Sequence, residues 1–299
     1  MEMSRLTEAA RVLRQARKVT VFTGAGISAE SGIPTFRDDA GLWREFPPER
    51  FANWKGLMHE AWQNPALVAR FILAVIEPIA RAEPNAAHRA IANLAEKTTV
   101  TVITQNVDNL HQEAGSQRVR EVHGSLFKIV DSRGTFIRRL TKADLLRMVE
   151  HLHVMLNGSV TIMKLLRSFH QILGLSWRGI TRPSIVLFHD NLAEPDWSQA
   201  TEDADWCDLM VVVGTSAQVF PACTLPVKVK LRHVPVIEIN PGSSEFDSIW
   251  LEGKAAEVLP RLVKEAYPVN FFETLTGLGR RRSTRLTSVT SSRCCPSDT

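Results

Sequence analysis

The sequence is short of cysteine. Its four cysteines include no pair separated by two residues, which is the spacing typical of thiolate zinc sites and redox pairs. Cys294 and Cys295 lie in a C-terminal stretch rich in Ser, Thr and Arg, so Cys207 and Cys223 remain for the folded part. This excludes a disulfide-stabilised scaffold and favours a reducing compartment.

Long apolar segments with the character of a membrane span are also missing. The uncharged stretch from Val154 to Met163 falls far short of the roughly 20 residues that cross a bilayer. Glu2 and Glu8 interrupt the basic character of the N-terminus, and no small-residue cleavage site follows. We therefore predict no membrane span, and a first helix at the N-terminus of a cytoplasmic protein. A mitochondrial presequence is the alternative.

The net charge of +4 is unevenly distributed. Residues 129–182 carry nine Lys or Arg against three Asp or Glu, and residues 271–299 carry five Arg against two acidic residues. A basic patch can attract nucleic acid or acidic partners. Because no recognisable nucleic-acid module accompanies these charges, we interpret them as solvated surface.

The chain has enough apolar material for one large domain with a small attachment, since 44% of its 299 residues are hydrophobic. Short β-branched runs alternate with helical patterns, such as residues 86–97 and 255–266. This alternation is typical of an α/β fold with a doubly wound parallel sheet of the Rossmann-like kind. The runs expected to form strands are residues 18–22, 98–104, 183–188, 208–214 and 234–240.

A glycine-rich stretch, GAGISAESGIPTFR, follows the first predicted strand. We expect the chain to turn through Gly24 and Gly26 and to enter a helix near Ser28, where backbone N–H groups could hold a pyrophosphate. The GAG turn alone is weak support, because its spacing differs from the usual GxGxxG. Gly32 and the Pro-Thr-Phe-Arg run after it predict a longer loop that covers a ligand.

Four further motifs follow in order: TQNVDNLH (104–111), HGSL (123–126), GTS (214–216) and IN (239–240). With the glycine-rich stretch they resemble the sirtuins, the NAD-dependent protein deacylases, and most of all their bacterial and mitochondrial class III branch. The resemblance covers residues 4–128 and 183–266. It implies a Rossmann-like NAD-binding domain at 1–128 and 183–270, a small inserted module at 129–182, and a basic tail at 271–299 that is expected to be disordered.

The resemblance implies an NAD site at the carboxyl ends of the predicted strands. Asn240 would bond to the adenosine ribose and Ala255 would line the adenine, while Phe36 and Arg37 would close over the nicotinamide ribose and exclude water. The other positions implied to bind NAD are Gly24, Ala25, Gly26, Ser28, Gln105, Asn106, Val107, Asp108, Gly214, Thr215 and Ser216.

His123 is the implied general base. It stands directly before a glycine, which lets a ligand approach closely, and it would act on the ribose hydroxyls. Asn106 and Asp108 are implied to shape the nicotinamide pocket, with Asp108 accepting a carboxamide N–H. For the other histidines a structural or surface role is the simpler interpretation: His59, His88, His111, His151, His153, His170 and His233.

The stretch after HGSL departs from the sirtuin pattern. Sirtuins carry a zinc ribbon of two CxxC pairs there, whereas residues 129–182 contain no cysteine. Thr141 and Asp144 form a near capping-box pattern ahead of two stretches with helical periodicity. We therefore expect a helical hairpin in place of the ribbon, and no zinc. Foreign coding sequence or a faulty gene model is the alternative origin of this segment.

Two departures concern the substrate. The sirtuin strand VWFGE, which pairs with the substrate backbone, appears here as VLFHD and retains Val186 and Phe188. Ile72 and Val75 stand where desuccinylating class III members have a Tyr and an Arg that bind the acyl carboxylate. Because an apolar pair cannot bond to a carboxylate, we expect an acetyl or other uncharged acyl group.

The expected function is NAD-dependent protein-lysine deacylation, an acyl transfer that yields nicotinamide and O-acyl-ADP-ribose. Two alternatives stay open: mono-ADP-ribosyl transfer from the same site, and a catalytically weak NAD-binding module. The expected partner is a protein or peptide with an acylated lysine.

Overall fold

The computed structural model describes residues 2–35, 41–173, 181–242, 246 and 248–268. The chain divides into a compact unit of residues 1–266 and a second unit of residues 267–299. Apart from residues 267 and 268, the second unit lies outside the described residues, and so does the predicted tail at 271–299.

The described residues form nine strands, most of them short. Val, Ile and Thr dominate the longer ones, as is typical of strands that are buried on both faces. The strands are β1 (Lys18–Thr23), β2 (Thr99–Thr104), β3 (Val119–Glu121), β4 (Lys128–Val130), β5 (Phe136–Arg139), β6 (Arg182–Pro183), β7 (Leu209–Val213), β8 (Val236–Asn240) and β9 (Ile249–Glu252).

The described residues also form twelve α-helices, and two 3-10 turns follow β1 at Ala25–Ile27 and Ala29–Ser31. No described helix is both long and apolar enough to cross a membrane. The helices are α1 (Glu2–Gln15), α2 (Leu42–Glu45), α3 (Pro48–Phe51), α4 (Trp54–Gln63), α5 (Pro65–Arg81), α6 (Ala86–Leu94), α7 (Leu110–Glu113), α8 (Lys142–Leu156), α9 (Ile162–Leu173), α10 (Asp196–Trp206), α11 (Thr224–Leu231) and α12 (Ala255–Ala266).

Six strands form one parallel sheet in the order β3-β2-β1-β7-β8-β9. This confirms the predicted α/β fold with a doubly wound sheet. Phe22 and Val212 pack with α10 and α11 on one face, and the alternate side chains Val19 and Val21 are buried as well. The helices that cover the sheet belong to the crossover connections between its strands, because two consecutive parallel strands cannot be joined by a tight turn.

The register of the sheet brings its functional edge together. Thr23 at the end of β1 pairs with Thr104 at the end of β2 and with Val213 at the end of β7. Val213 in turn pairs with Ile239 of β8. The loops that leave these four strands therefore begin side by side, where ligands of open α/β sheets bind.

The strand expected at residues 183–188 is wrong in both extent and partner. Only Arg182 and Pro183 form a strand, β6, and it pairs antiparallel with β4 in a separate sheet of order β5-β4-β6. The backbone N–H groups of Val186 and Phe188 donate instead to the carbonyls of His123 and Ala52. The backbone bonds of this apolar run go to separate segments and not to one neighbouring strand.

The helical hairpin expected after HGSL is confirmed as α8 and α9. Thr141 caps α8 through its side chain and Asp144 bonds back to the Thr141 N–H, so the capping box is complete. Buried side chains of α8 and α9, among them Leu152 and Leu165, share one apolar cluster with Val68 and other residues of α5. The domain boundaries at 128 and 183 stay a prediction, and this shared core crosses them.

Candidate active site

Two loops lie in very close contact at the edge of the sheet. The Gly24 N–H donates to the Val213 carbonyl (3.1 Å), and the Gly26 N–H donates to the Gly214 carbonyl (2.8 Å). A Cβ on Gly26 would lie 2.8 Å from the Gly214 Cα, and a Cβ on Gly24 would lie 2.7 Å from the Thr215 Cβ. Gly214 itself has φ +60°. These glycines are therefore required for the two backbones to pack together.

The helix expected near Ser28 is present as two short 3-10 helices and not as a regular α-helix. The Ile27 N–H donates to Gly24 and the Ser28 N–H donates to Ala25, which are the short-range bonds of a 3-10 turn. A second such turn ends at Gly32, whose φ is +86°. The tight contact with Gly214 leaves this loop too little room to wind into a regular α-helix at once.

Ser28, Asn106 and Asp108 form a buried hydrogen-bonded network behind the glycine loop. The Asn106 amide donates to the Gly24 carbonyl (3.0 Å) and to Ser28 Oγ (3.1 Å). The Ser28 hydroxyl donates to Asp108 Oδ2 (2.7 Å), and the Leu110 N–H donates to Asp108 Oδ1 (3.0 Å). The sequence motifs that contain these residues thus meet at one point.

Burial raises the pKa of Asp108 above its ordinary value, because a carboxylate loses hydration there. The hydrogen bonds from Ser28 and Leu110 act against this shift, while the nearby carboxyl groups of Glu121 and Glu113 add to it. The carboxyl group is therefore held in one orientation in a site that disfavours its charge. An added amide N–H would stabilise the charged form.

Gln105 connects three parts of the site. Its N–H donates to the Thr23 carbonyl at the end of β1 (3.0 Å). Its side-chain amide donates to Thr215 Oγ1 (3.0 Å) in the loop after β7. Its carbonyl lies 3.1 Å from His123 Nδ1. A single residue thereby fixes the distance between the glycine loops and the histidine.

The contact with Gln105 determines the tautomer of His123. A backbone carbonyl can only accept, so Nδ1 must carry the hydrogen and Nε2 keeps a free lone pair. Burial lowers the pKa of His123 below its ordinary value, and the bond to Gln105 partly opposes this. At neutral pH the imidazole is therefore uncharged, with Nε2 able to accept a proton.

Gly124 explains how the predicted substrate segment reaches His123. Gly124 has φ +73°, and a Cβ there would lie 1.8 Å from the Ser184 carbonyl oxygen. The Val186 N–H donates to the His123 carbonyl (2.9 Å), and the Phe188 N–H donates to the Ala52 carbonyl (2.7 Å). Val186 thus lies beside the histidine, and the N–H groups of Val186 and Phe188 are both already bonded within the chain.

The far end of the predicted NAD site lies along β8 and α12. Asn240 is the last residue of β8, and its side-chain amide donates to the Thr215 carbonyl (3.4 Å). Ala255 is buried at the start of α12. The exposed residue Ser216 and the partly buried Val107 lie in the loops after β7 and β2. The implied residues Phe36 and Arg37 lie outside the described residues.

Sequence reasoning missed two residues that support the glycine loop. The Asn85 amide donates to the Ile27 carbonyl (2.7 Å) and to Ser31 Oγ (3.1 Å), while its Oδ1 caps α6. A Glu30 carboxylate oxygen accepts the Ala256 N–H at the start of α12 (2.7 Å). The helix-capping pattern Pro-Asn-Ala-Ala could have identified Asn85. Nothing local could have paired Glu30 with α12.

Ile72 and Val75 are partly buried on α5 against the cluster that α5 shares with α8. They do not line the open cavity of about 550 Å³ beside α5. That cavity carries Arg70 and Arg81, and Arg81 is paired with Glu77 (3.1 Å). Its lining residues are Ser31, Gly32, Glu45, Phe46, Arg70, Leu73, Ala74, Glu77, Pro78, Arg81 and Ala82.

The histidines of the hairpin form no metal cluster. His151 is exposed, and His153 Nε2 lies 3.2 Å from a Glu77 carboxylate oxygen. Among the described residues there is no group of three or more His, Cys, Asp or Glu side chains arranged to hold a metal ion.

Residues 24–221 match the model of the Sir2 family. The chain belongs to the Sir2 family. A relative named NAD-dependent protein deacylase 2, from Archaeoglobus fulgidus, is 38% identical over 266 residues, which are 87% of this chain and 95% of the relative. The family membership stated from the motifs is thereby confirmed.

Solved sirtuin structures share the fold. One, from a study of the mechanism and regulation of Sir2 enzymes, has a TM-score of 0.70 and 35% identity, and the match covers 90% of this chain and 100% of the other. A second, of Sir2Af2 bound to a myristoylated histone peptide, has a TM-score of 0.63 and 30% identity over 92% of this chain and 99% of the other.

The residues of this sirtuin fit a dinucleotide such as NAD. Gly24, Gly26 and Gly214 carry no side chains where the two loops pack together at the carboxyl edge of the sheet. Hydroxyl and amide groups of Thr215 and Asn240 border that backbone. Such a donor set suits phosphate and ribose oxygens, and the same edge carries the neutral imidazole of His123.

Two buried histidines support the site from behind. The rings of His88 and His111 lie 4.9 Å apart in a T-shaped contact, and His111 Nε2 lies 3.0 Å from Thr23 Oγ1 at the end of β1. His88 accepts the Asn85 N–H. Burial lowers the pKa of His88 to about 4 and lowers that of His111 well below its ordinary value. Both must stay neutral in the folded protein.

We predict that the stability of this sirtuin falls as the pH falls from 6.5 toward 4. Between these pH values His88 is protonated in the unfolded chain but stays neutral in the folded protein, because burial lowers its pKa there to about 4. The loss of unfolding free energy from His88 alone should be on the order of 3 kcal/mol, and it should be absent above pH 7. Urea titrations at several pH values measure it.

The matched variants for this prediction are His88→Gln and His59→Gln. The first should make the pH dependence shallower, whereas the second, at an exposed position of α4, should leave it unchanged. Equal pH slopes for His88→Gln and the unmodified protein would contradict the prediction.

Proposed function

We propose that this sirtuin is an NAD-dependent protein-lysine deacylase that transfers the acyl group to ADP-ribose and releases nicotinamide. The observation that carries the proposal is His123, whose Nδ1 donates to the Gln105 carbonyl and whose Nε2 is thereby left as the acceptor nitrogen of the ring. A transferase that acts on a ribose hydroxyl needs such a base at this edge of the sheet.

The cofactor would lie along the carboxyl ends of β1, β2, β7 and β8. Gly24, Ala25, Gly26 and Ser28 would hold the diphosphate from one side, and the 214–216 loop from the other. Asn240 would bind the adenosine ribose. Bound there, NAD would supply the ribose carbon that accepts the acyl-lysine oxygen, with nicotinamide as the leaving group.

Asp108 would receive the nicotinamide carboxamide. Its carboxyl group is already oriented by Ser28 and Leu110, so a third N–H would complete its coordination and oppose the cost of burial. Asn106 holds Ser28 and the Gly24 carbonyl. It therefore fixes the pocket and the diphosphate loop with one side chain.

The acylated lysine would enter beside residues 184–188. Val186 is bonded through its N–H to the carbonyl of His123, so a substrate that contacts Val186 lies next to the general base. This arrangement holds the reacting groups in one place, which is a large part of catalysis by proximity.

Mass spectrometry of the products from NAD and an acetyl-lysine peptide tests the proposed function. Nicotinamide and O-acetyl-ADP-ribose that form only with the peptide support it. A protein that becomes labelled with ADP-ribose would favour mono-ADP-ribosyl transfer, and NAD binding without turnover would favour a binding module.

We predict that His123→Ala lowers deacylation by a factor on the order of 10² or more, since general-base catalysis contributes about 10²–10⁴. NAD binding and the thermal midpoint should change little. Nicotinamide release under saturating NAD and peptide is the measurement, and the exposed residue His59 gives the control His59→Ala. Full activity of His123→Ala would remove His123 from the mechanism.

We predict that an acetyl-lysine peptide is turned over with a higher kcat/KM than a succinyl-lysine peptide of the same sequence. Ile72 and Val75 are apolar and packed on α5. Burying the unpaired carboxylate of a succinyl group beside them would therefore cost on the order of several kcal/mol of binding free energy. A preference for succinyl-lysine would show that another cation, such as Arg70, reaches the acyl group.

We also propose that the protein holds no structural zinc. Residues 124–206 contain no cysteine, whereas the zinc ribbon of the family needs four thiolates. The apolar cluster that joins α8 and α9 to α5 supplies the burial that could hold the module in place instead.

Elemental analysis should therefore find well under one zinc per chain. A chelator should leave both the thermal midpoint and the activity unchanged, because no metal bond would be broken. Stoichiometric zinc together with unfolding by the chelator would contradict this prediction and would make the hairpin histidines ligand candidates.

The proposed partner is a protein or peptide with an acylated lysine. The cytoplasm is the proposed compartment, because the spacing of the four cysteines suits a reducing environment. The mitochondrion is the alternative compartment.

A further inference from the structure

The chain makes a tight turn directly after the segment beside His123. The Asp190 N–H donates to the Leu187 carbonyl (3.1 Å), and His189 at the third position of the turn has φ +76°. This conformation suits glycine, which sirtuins have at this position in VWFGE, and it is unfavourable for a side chain with a Cβ. Other contacts must therefore hold His189 in it.

Asp190 supplies those contacts. Its Oδ2 accepts the Leu187 N–H (3.2 Å) and the indole N–H of Trp54 (2.8 Å). Trp54 is the first residue of α4, so the carboxylate ties the turn to a helix far away in sequence. A charged acceptor makes stronger hydrogen bonds than a neutral one, and this favours the strained turn.

Arg182 fixes the other end of the same segment. Its guanidinium lies over the Trp54 ring at 5.4 Å, and its Nη1 donates to the Ile185 carbonyl (3.1 Å). Trp54 thus binds Asp190 through its edge and Arg182 through its face. Residues 182–190 are held at both ends by one indole.

Between these ends the segment passes the general base. Val186 is bonded to His123, and the side chains of Phe188 and His189 are exposed. We propose that Asp190, held by Trp54, is a positioning residue that fixes residues 186–189 for binding of the acylated peptide. This inference rests on the proposed function. Without Asp190, a peptide that binds must first order the turn, and this ordering weakens its binding.

The variants Trp54→Phe and Asp190→Asn test the inference. Phe keeps a ring beneath Arg182 and removes the indole N–H, while Asn keeps the shape of Asp190 and removes its charge. Each should raise the KM for an acetyl-lysine peptide about tenfold, the ratio that corresponds to one hydrogen bond. The kcat, the Kd for NAD and the thermal midpoint should change little.

Two comparisons separate positioning from a general structural role. The KM for a single blocked acetyl-lysine, which is too short to span residues 186–189, should be the same in the variants and in the unmodified protein. Trp62→Phe, on the exposed face of α4, is the matched control and should leave both KM values unchanged.

A second substitution should rescue the first. His189→Gly in the Trp54→Phe background should return the peptide KM close to its original value, because glycine adopts the turn without the help of Asp190.

Unchanged peptide KM in both single variants would overturn the inference and leave the proposed function intact. Parallel loss of NAD binding or of stability would overturn it as well. An unmodified protein that does not consume NAD with the acetyl peptide would overturn the proposed function and this inference together.

Discussion

The close contact between the backbone of Gly24–Gly26 and that of Gly214 is the constraint on which the rest of the site depends. It sets the distance between the loops after β1 and β7, which Gln105 and Asn106 then bridge with side-chain amides. Because side chains are missing where the loops meet, backbone groups line the edge of the sheet. Every polar group of the site is placed relative to this contact.

Polar groups behind that contact are arranged with a fixed direction. Asn106 donates to Ser28, Ser28 donates to Asp108, and His123 donates to Gln105. Each of these acceptors either cannot donate a hydrogen or already donates its own to another group, so the hydrogens are oriented before a ligand arrives. Preorganised dipoles of this kind need little rearrangement during reaction. The cost is a buried carboxyl group and neutral histidines.

The longest-range features are those that the sequence did not predict. Burial patterns located the strands at 18–22 and 208–214, the hairpin at 142–173 and its capping box, because each depends on neighbouring residues. The run at 183–188 was misassigned, since an apolar run does not specify which backbone receives its hydrogen bonds. The pairing of Glu30 with α12 and of Asp190 with Trp54 joins residues far apart in sequence, and no local pattern encodes it. The motif resemblance located the residues of the site, whereas their mutual contacts required coordinates.

Glu30 belongs to the loop that begins with Gly24, yet its carboxylate accepts the N–H of Ala256 at the start of α12. That loop therefore touches the diphosphate end and the adenine end of the expected cofactor position at once. A ligand fragment that occupies one end would restrain the other through a single carboxylate. The two halves of a dinucleotide should then bind cooperatively, so that AMP and nicotinamide mononucleotide together would be held more tightly than their separate affinities indicate.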